Sequence, residues 1–381
     1  MEKVKLIEDT LVEGLFGHIV IGNVFWSQLG QYIDQYFDRA TDKILAKIDE
    51  VLLHHPLNKF PVSAPHLTHV LLWLQNCYSQ HGKKLSPEIR SRLEMVQNQA
   101  EPTFIYKTLN RNPGLNPSGG TVTLLEENEI IGHGTTGLTS WQGALFLTDW
   151  LLANGQALLQ DKRVLELGCG PGTCKTIFQT RTQSIRCVFN CLGFLGLHLL
   201  RNLAIQSYTF TDGHPEVLKA VSFNFNLNNG AMDSLNYEDF EDFASRGYPD
   251  IAVEPRNEIW QKTNCQVSVA KLDWLDEPLI LDDCCFQGIE IILGADIVYE
   301  RSLIPPLCRV LNCLLLKQKG CKALISCTER SVTTLNCFET NLSDHNLHFS
   351  VVGRGFFTPA ESLLCSDVLH QATRIYEIKK L

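Results

Sequence analysis

The chain has 381 residues, 44% of them apolar, enough for one large core and a smaller second domain. A net charge of -9 and an isoelectric point near 5.7 argue against an extended basic face for nucleic acid and point to a protein as the macromolecular partner. Fourteen cysteines include no C-x-x-C pair and no zinc-type spacing; scattered among apolar positions such as Cys187, Cys191, Cys308 and Cys313, they read as reduced core thiols, so no metal site is expected.

The opening residues carry charges where a secretory signal needs its apolar centre, and the greasiest stretch, Val188 to Leu200, is 13 residues long, too short to span a membrane. A cytoplasmic protein with no transmembrane segment is expected. Phe25, Trp26, Leu29, Tyr32, Ile33 and Phe37, then Ile44, Ile48, Leu52 and Leu53, recur at helical spacing, so the first 110 or so residues read as helices. The Gly/Pro/Asn-dense stretch 112–120 reads as a linker, dividing a helical N-terminal domain, 1–112, from a second domain, 113–381. Thr121 to Leu125 then alternates like a strand. Strands are predicted over 162–167, 207–211, 266–272, 289–295, 321–327, 346–352 and 373–379, with helical stretches between them. That order specifies a doubly wound α/β sheet, whose ligand lies beyond the carboxyl ends of the strands. The acidic stretch from Asp233 to about Lys262 reads as a surface excursion.

Chemistry gathers at four predicted strand ends. The first runs through Val-Leu-Glu-Leu into Gly-Cys-Gly-Pro-Gly, ending at 172, where glycines let the backbone turn sharply and approach a ligand. Such a loop also serves dinucleotides, or only a tight strand-helix turn. The second ends in Phe-Thr-Asp-Gly-His, placing Asp212 where a carboxylate can accept ribose hydroxyls, or cap the helix that His214-Pro215 begins. The third offers Asp273 to an adenine amine and Trp274 as an apolar wall. The fourth ends Gly-Ala-Asp-Ile-Val-Tyr-Glu at 294–300. His133 and His214 have no partner pattern around them and read as structural.

With these four ends, and with Gly-His-Gly-Thr-Thr-Gly-Leu-Thr-Ser-Trp-Gln-Gly-Ala-Leu at 132–145 and the N-terminal Phe25-Trp26-Ser-Gln-Leu, the sequence resembles the seven-strand, S-adenosylmethionine-dependent protein-lysine methyltransferases whose fourth strand ends in Asp-x-x-Tyr, and within them the branch acting on elongation factor 2. The resemblance runs from about residue 15 to the end. It implies a Rossmann-like methyltransferase sheet, S-adenosyl-L-methionine as cofactor and elongation factor 2 as protein partner. It also implies that Trp141, Gly168, Cys169, Gly170, Asp212, Trp274 and Ala295 contact the cofactor, and that Asp296 and Tyr299 line the channel for the substrate lysine as catalytic residues. Asp296 would steer the ammonium in and Tyr299 would accept a hydrogen bond from the amine.

One departure stands out. Gly170 and Asp212 are 42 positions apart, whereas a glycine loop and its ribose-binding acid are usually about 20 apart. The surplus reads as lying between Thr173 and Gln206, with Thr-Cys-Lys-Thr-Ile-Phe in place of a small, apolar helix start. It is either an extra helix, Val188 to Leu200, packed on the sheet, or a retained intron that leaves the chain poorly folded around 173–206. In the second case the protein would be a methyltransferase-like interaction module. A nicotinamide-dependent oxidoreductase is the rival enzyme class, opposed by the Asp-x-x-Tyr ending and by the lack of a hydride-transfer constellation.

Overall fold

The computed structural model describes residues 11–12, 15, 24–97, 99, 104–110, 121–127, 141–170, 193–232, 234–246, 258–260, 265–356 and 372–380. Helices α1 (Val24–His54), α2 (Ala64–Gln80) and α3 (Pro87–Val96) form the N-terminal part. Their helical stripes bury Trp26, Ile33, Ile48, Leu67, Leu71 and Ile89 in one cluster, with Trp26 set edge-on to Trp73.

The next element departs from expectation. Phe104–Asn110 is not helical but a strand, β1, antiparallel to β2 (Thr121–Glu127). Its Phe-Ile-Tyr-Lys-Thr composition is that of a pleated, half-buried surface. This hairpin straddles the boundary expected at 112.

The remaining strands form one sheet in the order β5-β6-β4-β3-β7-β8-β10-β9, built from β3 (Arg163–Leu167), β4 (Ser207–Asp212), β5 (Glu258–Trp260), β6 (Cys265–Lys271), β7 (Ile291–Ala295), β8 (Lys322–Thr328), β9 (His348–Phe356) and β10 (Ala372–Lys379). Strands β6, β4, β3, β7 and β8 are parallel; β10 pairs antiparallel with β8, β9 antiparallel with β10, and the short edge strand β5 antiparallel with β6. All seven predicted strands are present; the three-residue β5 is additional, inside the stretch expected to be a surface excursion, which also holds α7 (Tyr237–Arg246). Chain order reverses between β3 and β7, and this is the switch point where an open α/β sheet leaves a crevice.

Alternation along β3 feeds two cores. Val164 faces a layer holding α4 (Trp141–Asn154), α5 (Phe194–Asn202) and α6 (Pro215–Asn229), with Leu147, Leu151, Leu199 and Val221 buried. Leu165 and Leu167 face α8 (Ile304–Lys317) and α9 (Val332–Asp344), against Leu307, Leu311 and Phe338. The hairpin is attached to the first layer by two asparagines one helical turn apart on α6. Asn228 accepts from the Thr123 N–H at 2.9 Å and donates to its carbonyl at 2.7 Å. Asn224 accepts from the Leu125 N–H at 2.8 Å. One turn of helix and two residues of strand are of similar length, so side chains at i and i+4 match backbone groups at i and i+2.

Helix α5 corrects the reading of the surplus residues. It begins at Phe194, directly after Gly193, whose N–H donates to the Cys169 carbonyl at 2.9 Å. Among the described residues, the helix that follows the glycine turn is Phe194–Asn202, entered through Gly193 and packed on the sheet. Gly196 is its point of closest approach: a Cβ there would lie 2.3 Å from the Phe210 ring and 2.6 Å from that of Tyr208. The surplus residues 171–192 lie outside the described residues, and their two flanks meet at the Gly193–Cys169 hydrogen bond.

Candidate active site

Strand β3 delivers Gly168 at φ +62°, a left-handed turn that a side chain would resist. A Cβ here would also stand 2.9 Å from Ile297 and 3.4 Å from the Trp274 ring, so the turn is enclosed by the ends of β7 and β6. Cys169 is buried and donates its N–H to the Thr211 carbonyl at 2.9 Å, tying the turn to β4. Burial pushes its thiol well above the ordinary range, so it lines the turn as an apolar group. A Cβ on Gly170 would come within 2.1 Å of Val217 on α6. Gly168, Cys169 and Gly170 thus form one close-packed turn, whose next residues, Pro171 and Gly172, lie outside the described residues.

Behind the turn, Glu166 is buried against α5. Its carboxylate accepts from the Tyr208 hydroxyl at 2.6 Å, and burial pushes it up to about 7 against the opposing effect of that bond and of the Gly196 N–H.

Asp212 closes β4 at 8% exposure. Its oxygens accept the His214 N–H at 2.9 Å and the Gly170 N–H at 3.4 Å. His214 is the residue before α6, and no side chain caps that helix; through these two bonds Asp212 ties the helix entry to the glycine turn. A carboxylate has about four acceptor positions, so two N–H donors, one of them long, leave capacity for a diol. Desolvation by burial raises its pKa, which is the condition that two further hydroxyl donors relieve. The group fits an adenosyl ribose.

Beyond β6, Asp273 accepts the Leu275 N–H at 3.0 Å and packs against Gly213. Trp274 is half-buried beside Gly168, and its carbonyl accepts from Arg309 of α8 at 2.7 Å, a guanidinium that also holds Glu277 and the Asp276 carbonyl. Arg309 was not legible in the sequence as part of the site, because it lies 35 residues downstream on a helix of otherwise core-forming pattern. Trp141 is the first residue of α4, and the motif before it, with His133, lies outside the described residues.

Ala295 ends β7, and Asp296 follows at φ +52°, uncommon for a residue other than glycine. Ile297 and Val298 are buried and anchor the segment, leaving Tyr299 half-buried at the rim. Asp296, expected to steer the substrate ammonium in, accepts from Gly143 N at 2.9 Å, Thr328 N at 2.8 Å, Thr328 Oγ1 at 2.9 Å and Arg330 Nη2 at 3.1 Å.

Residues 250–344 match the family model for lysine methyltransferases. The protein-lysine N-methyltransferase EEF2KMT of Bos taurus is 27% identical over 319 residues, covering 83% of this chain and 82% of that protein. The Mus musculus EEF2KMT is 30% identical over 52% of this chain and 45% of its own length, so the chain spans about half of that relative. A protein-lysine N-methyltransferase EFM3 from Chaetomium thermophilum is 29% identical over 63% of this chain and 56% of its own. Among solved structures, Pyrococcus horikoshii TYW2 covers 74% of each chain at 10% identity and a TM-score of 0.37, too loosely to bear on the assignment. With β3, β4, β6 and β7 ending on one rim around a turn that fits an adenosyl group, the chain is a lysine methyltransferase similar to EEF2KMT, and its methyl donor is S-adenosylmethionine.

Proposed function

We propose that the protein methylates a lysine side chain of elongation factor 2. The observation that carries this reading is the similarity to EEF2KMT over 83% of the chain, far beyond the 250–344 span of the family-model match. In this reading Gly168, Cys169 and Gly170 cradle the cofactor, Asp212 accepts its ribose hydroxyls, and Trp274, Ala295 and Trp141 border it. When bound, S-adenosylmethionine supplies an electrophilic sulfonium methyl group.

What the chain must do is mostly placement, because an oriented amine and methyl group gain most of their rate from proximity. A free lysine has a pKa of about 10.4, so the incoming amine must shed a proton. Desolvation at the apolar rim of Ile297, Val298 and Trp274 favours the neutral form, and Tyr299 accepts a hydrogen bond from the amine, directing its lone pair inward. Repeated transfer, up to trimethyllysine, is what the family resemblance implies. A cytoplasmic setting follows from that substrate; among the described residues no helix is long and apolar enough to cross a membrane.

The alternative of a non-catalytic interaction module loses its motive, since the glycine turn, Asp212 and α5 are joined despite the surplus residues. Incubating the full chain with isotopically labelled donor and elongation factor 2, then mapping label by mass spectrometry, tests the reading. Label on one lysine, lost in Asp212→Ala, is expected. Cofactor binding without label on elongation factor 2 would remove the substrate assignment.

A further inference from the structure

We propose that Asp296 is a positioning residue, whose carboxylate fastens the first turn of α4 to the ends of β7 and β8 and so sets Trp141 at the cofactor, leaving Tyr299 to meet the substrate. The inference rests on the reading of the chain as an S-adenosylmethionine-dependent methyltransferase and assigns a role within that site.

Four donors reach Asp296: Gly143 N from α4, Thr328 N and Oγ1 from the end of β8, and Arg330 just beyond it. Three of them converge on Oδ2 and Thr328 N takes Oδ1, so most of the roughly four acceptor positions of the carboxylate are filled before any ammonium arrives. The side chain is 6% exposed, which gives a substrate little access to it. The backbone completes the fastening, with the Asp296 N–H donating to the Ser326 carbonyl at 2.9 Å and the Ser326 hydroxyl to the Gly143 carbonyl at 2.9 Å. Gly143 is thus held by both its N–H and its C=O.

Gly143 lies in the first turn of α4, where N–H groups have no partner within the helix and where the helix dipole favours a negative charge. A Cβ at 143 would stand 2.5 Å from the Asp296 carboxyl carbon and 2.7 Å from each oxygen, so the contact requires glycine. Asp296 itself adopts a left-handed backbone, a conformation that persists only where the surroundings over-determine it, as these contacts do. Trp141 precedes Gly143 by two residues, and what moves the glycine moves the tryptophan.

The test compares Asp296→Asn and Gly143→Ala in the full chain by hydrogen exchange, by calorimetric titration with S-adenosylmethionine and by steady-state kinetics. Both variants are expected to speed amide exchange across 141–147 and to weaken cofactor binding about tenfold, the scale of losing charge-assisted hydrogen bonds. The double variant should be no worse than either single one, and KM for the protein substrate and the pH profile should stay as in the unmodified chain. Arg330→Gln, which removes one donor at the rim, should show the same pattern in weaker form and serves where either core variant fails to fold. Unchanged exchange and cofactor affinity, with a raised KM or a displaced pH profile in Asp296→Asn alone, would overturn the proposal. A chain that exchanges as expected but binds no S-adenosylmethionine would refute the enzyme reading while leaving the fastening intact.

Discussion

Asp212 and Asp296 end neighbouring parts of one rim, yet their surroundings differ. Asp212 has two backbone donors, one at 3.4 Å, and a pKa raised by burial. Asp296 has four donors drawn from a helix, a strand and an arginine. Two carboxylates at strand ends can therefore differ in acceptor capacity, and in the proposed reading the first keeps it for the cofactor while the second holds the scaffold around it. Hydrogen-bond saturation, rather than residue type or position, separates them.

The largest effect should come from the unsaturated carboxylate. Asp212→Ala should reduce cofactor affinity by roughly 100-fold, the cost of deserting two hydroxyl donors at a buried site, with little change in melting temperature. The sign of its pH dependence follows from the burial-raised pKa: affinity is complete above that pKa and falls as pH drops through it, since only the ionised form accepts both hydroxyls. Asp212→Asn should flatten that limb of the titration. A strong loss of stability with unchanged binding would erase the contrast with Asp296.

Glu166 provides a third carboxylate, bonded by Tyr208 and Gly196 and wholly buried. Its ordinary value of 4.5 rises to about 7 in the folded chain, so the folded state holds the proton more tightly. The resulting stability is complete below 4.5, declines as pH rises to about 7 and is flat above it, a change of roughly 3 kcal/mol. Glu126, buried beside Lys107, acts in the same direction. Thermal melts between pH 5 and 8, checked against Glu166→Gln, should show a shallower slope in the variant.

Arg309→Lys loses the guanidinium's simultaneous hold on the Trp274 carbonyl and Glu277, and should weaken cofactor binding by about threefold to tenfold without altering the fold. The smallest effect belongs to the surplus residues. Because Gly193 already bonds Cys169, a chain lacking residues 171–192 should keep its melting temperature and bind cofactor within about twofold of the full chain, by calorimetry.

The seven main strands were legible because each is a short apolar run between polar turns. Strand β1 was not, lying at the end of a helical region and paired only with β2. The start of α5 was misread because residues 171–192 stand between the glycine turn and the helix that completes it. Asp212 and Trp274 could be singled out from strand-end position alone. The role proposed for Asp296 could not, since its donors lie 153, 32 and 34 residues away and only the folded sheet brings them together.

Isothermal titration of S-adenosylmethionine into the full-length chain and into Asp212→Ala tests the central claim most directly. The account predicts saturable binding at one site per chain, weakened by roughly 100-fold in the variant. Absence of binding to the unmodified chain, or equal binding to both, would contradict it.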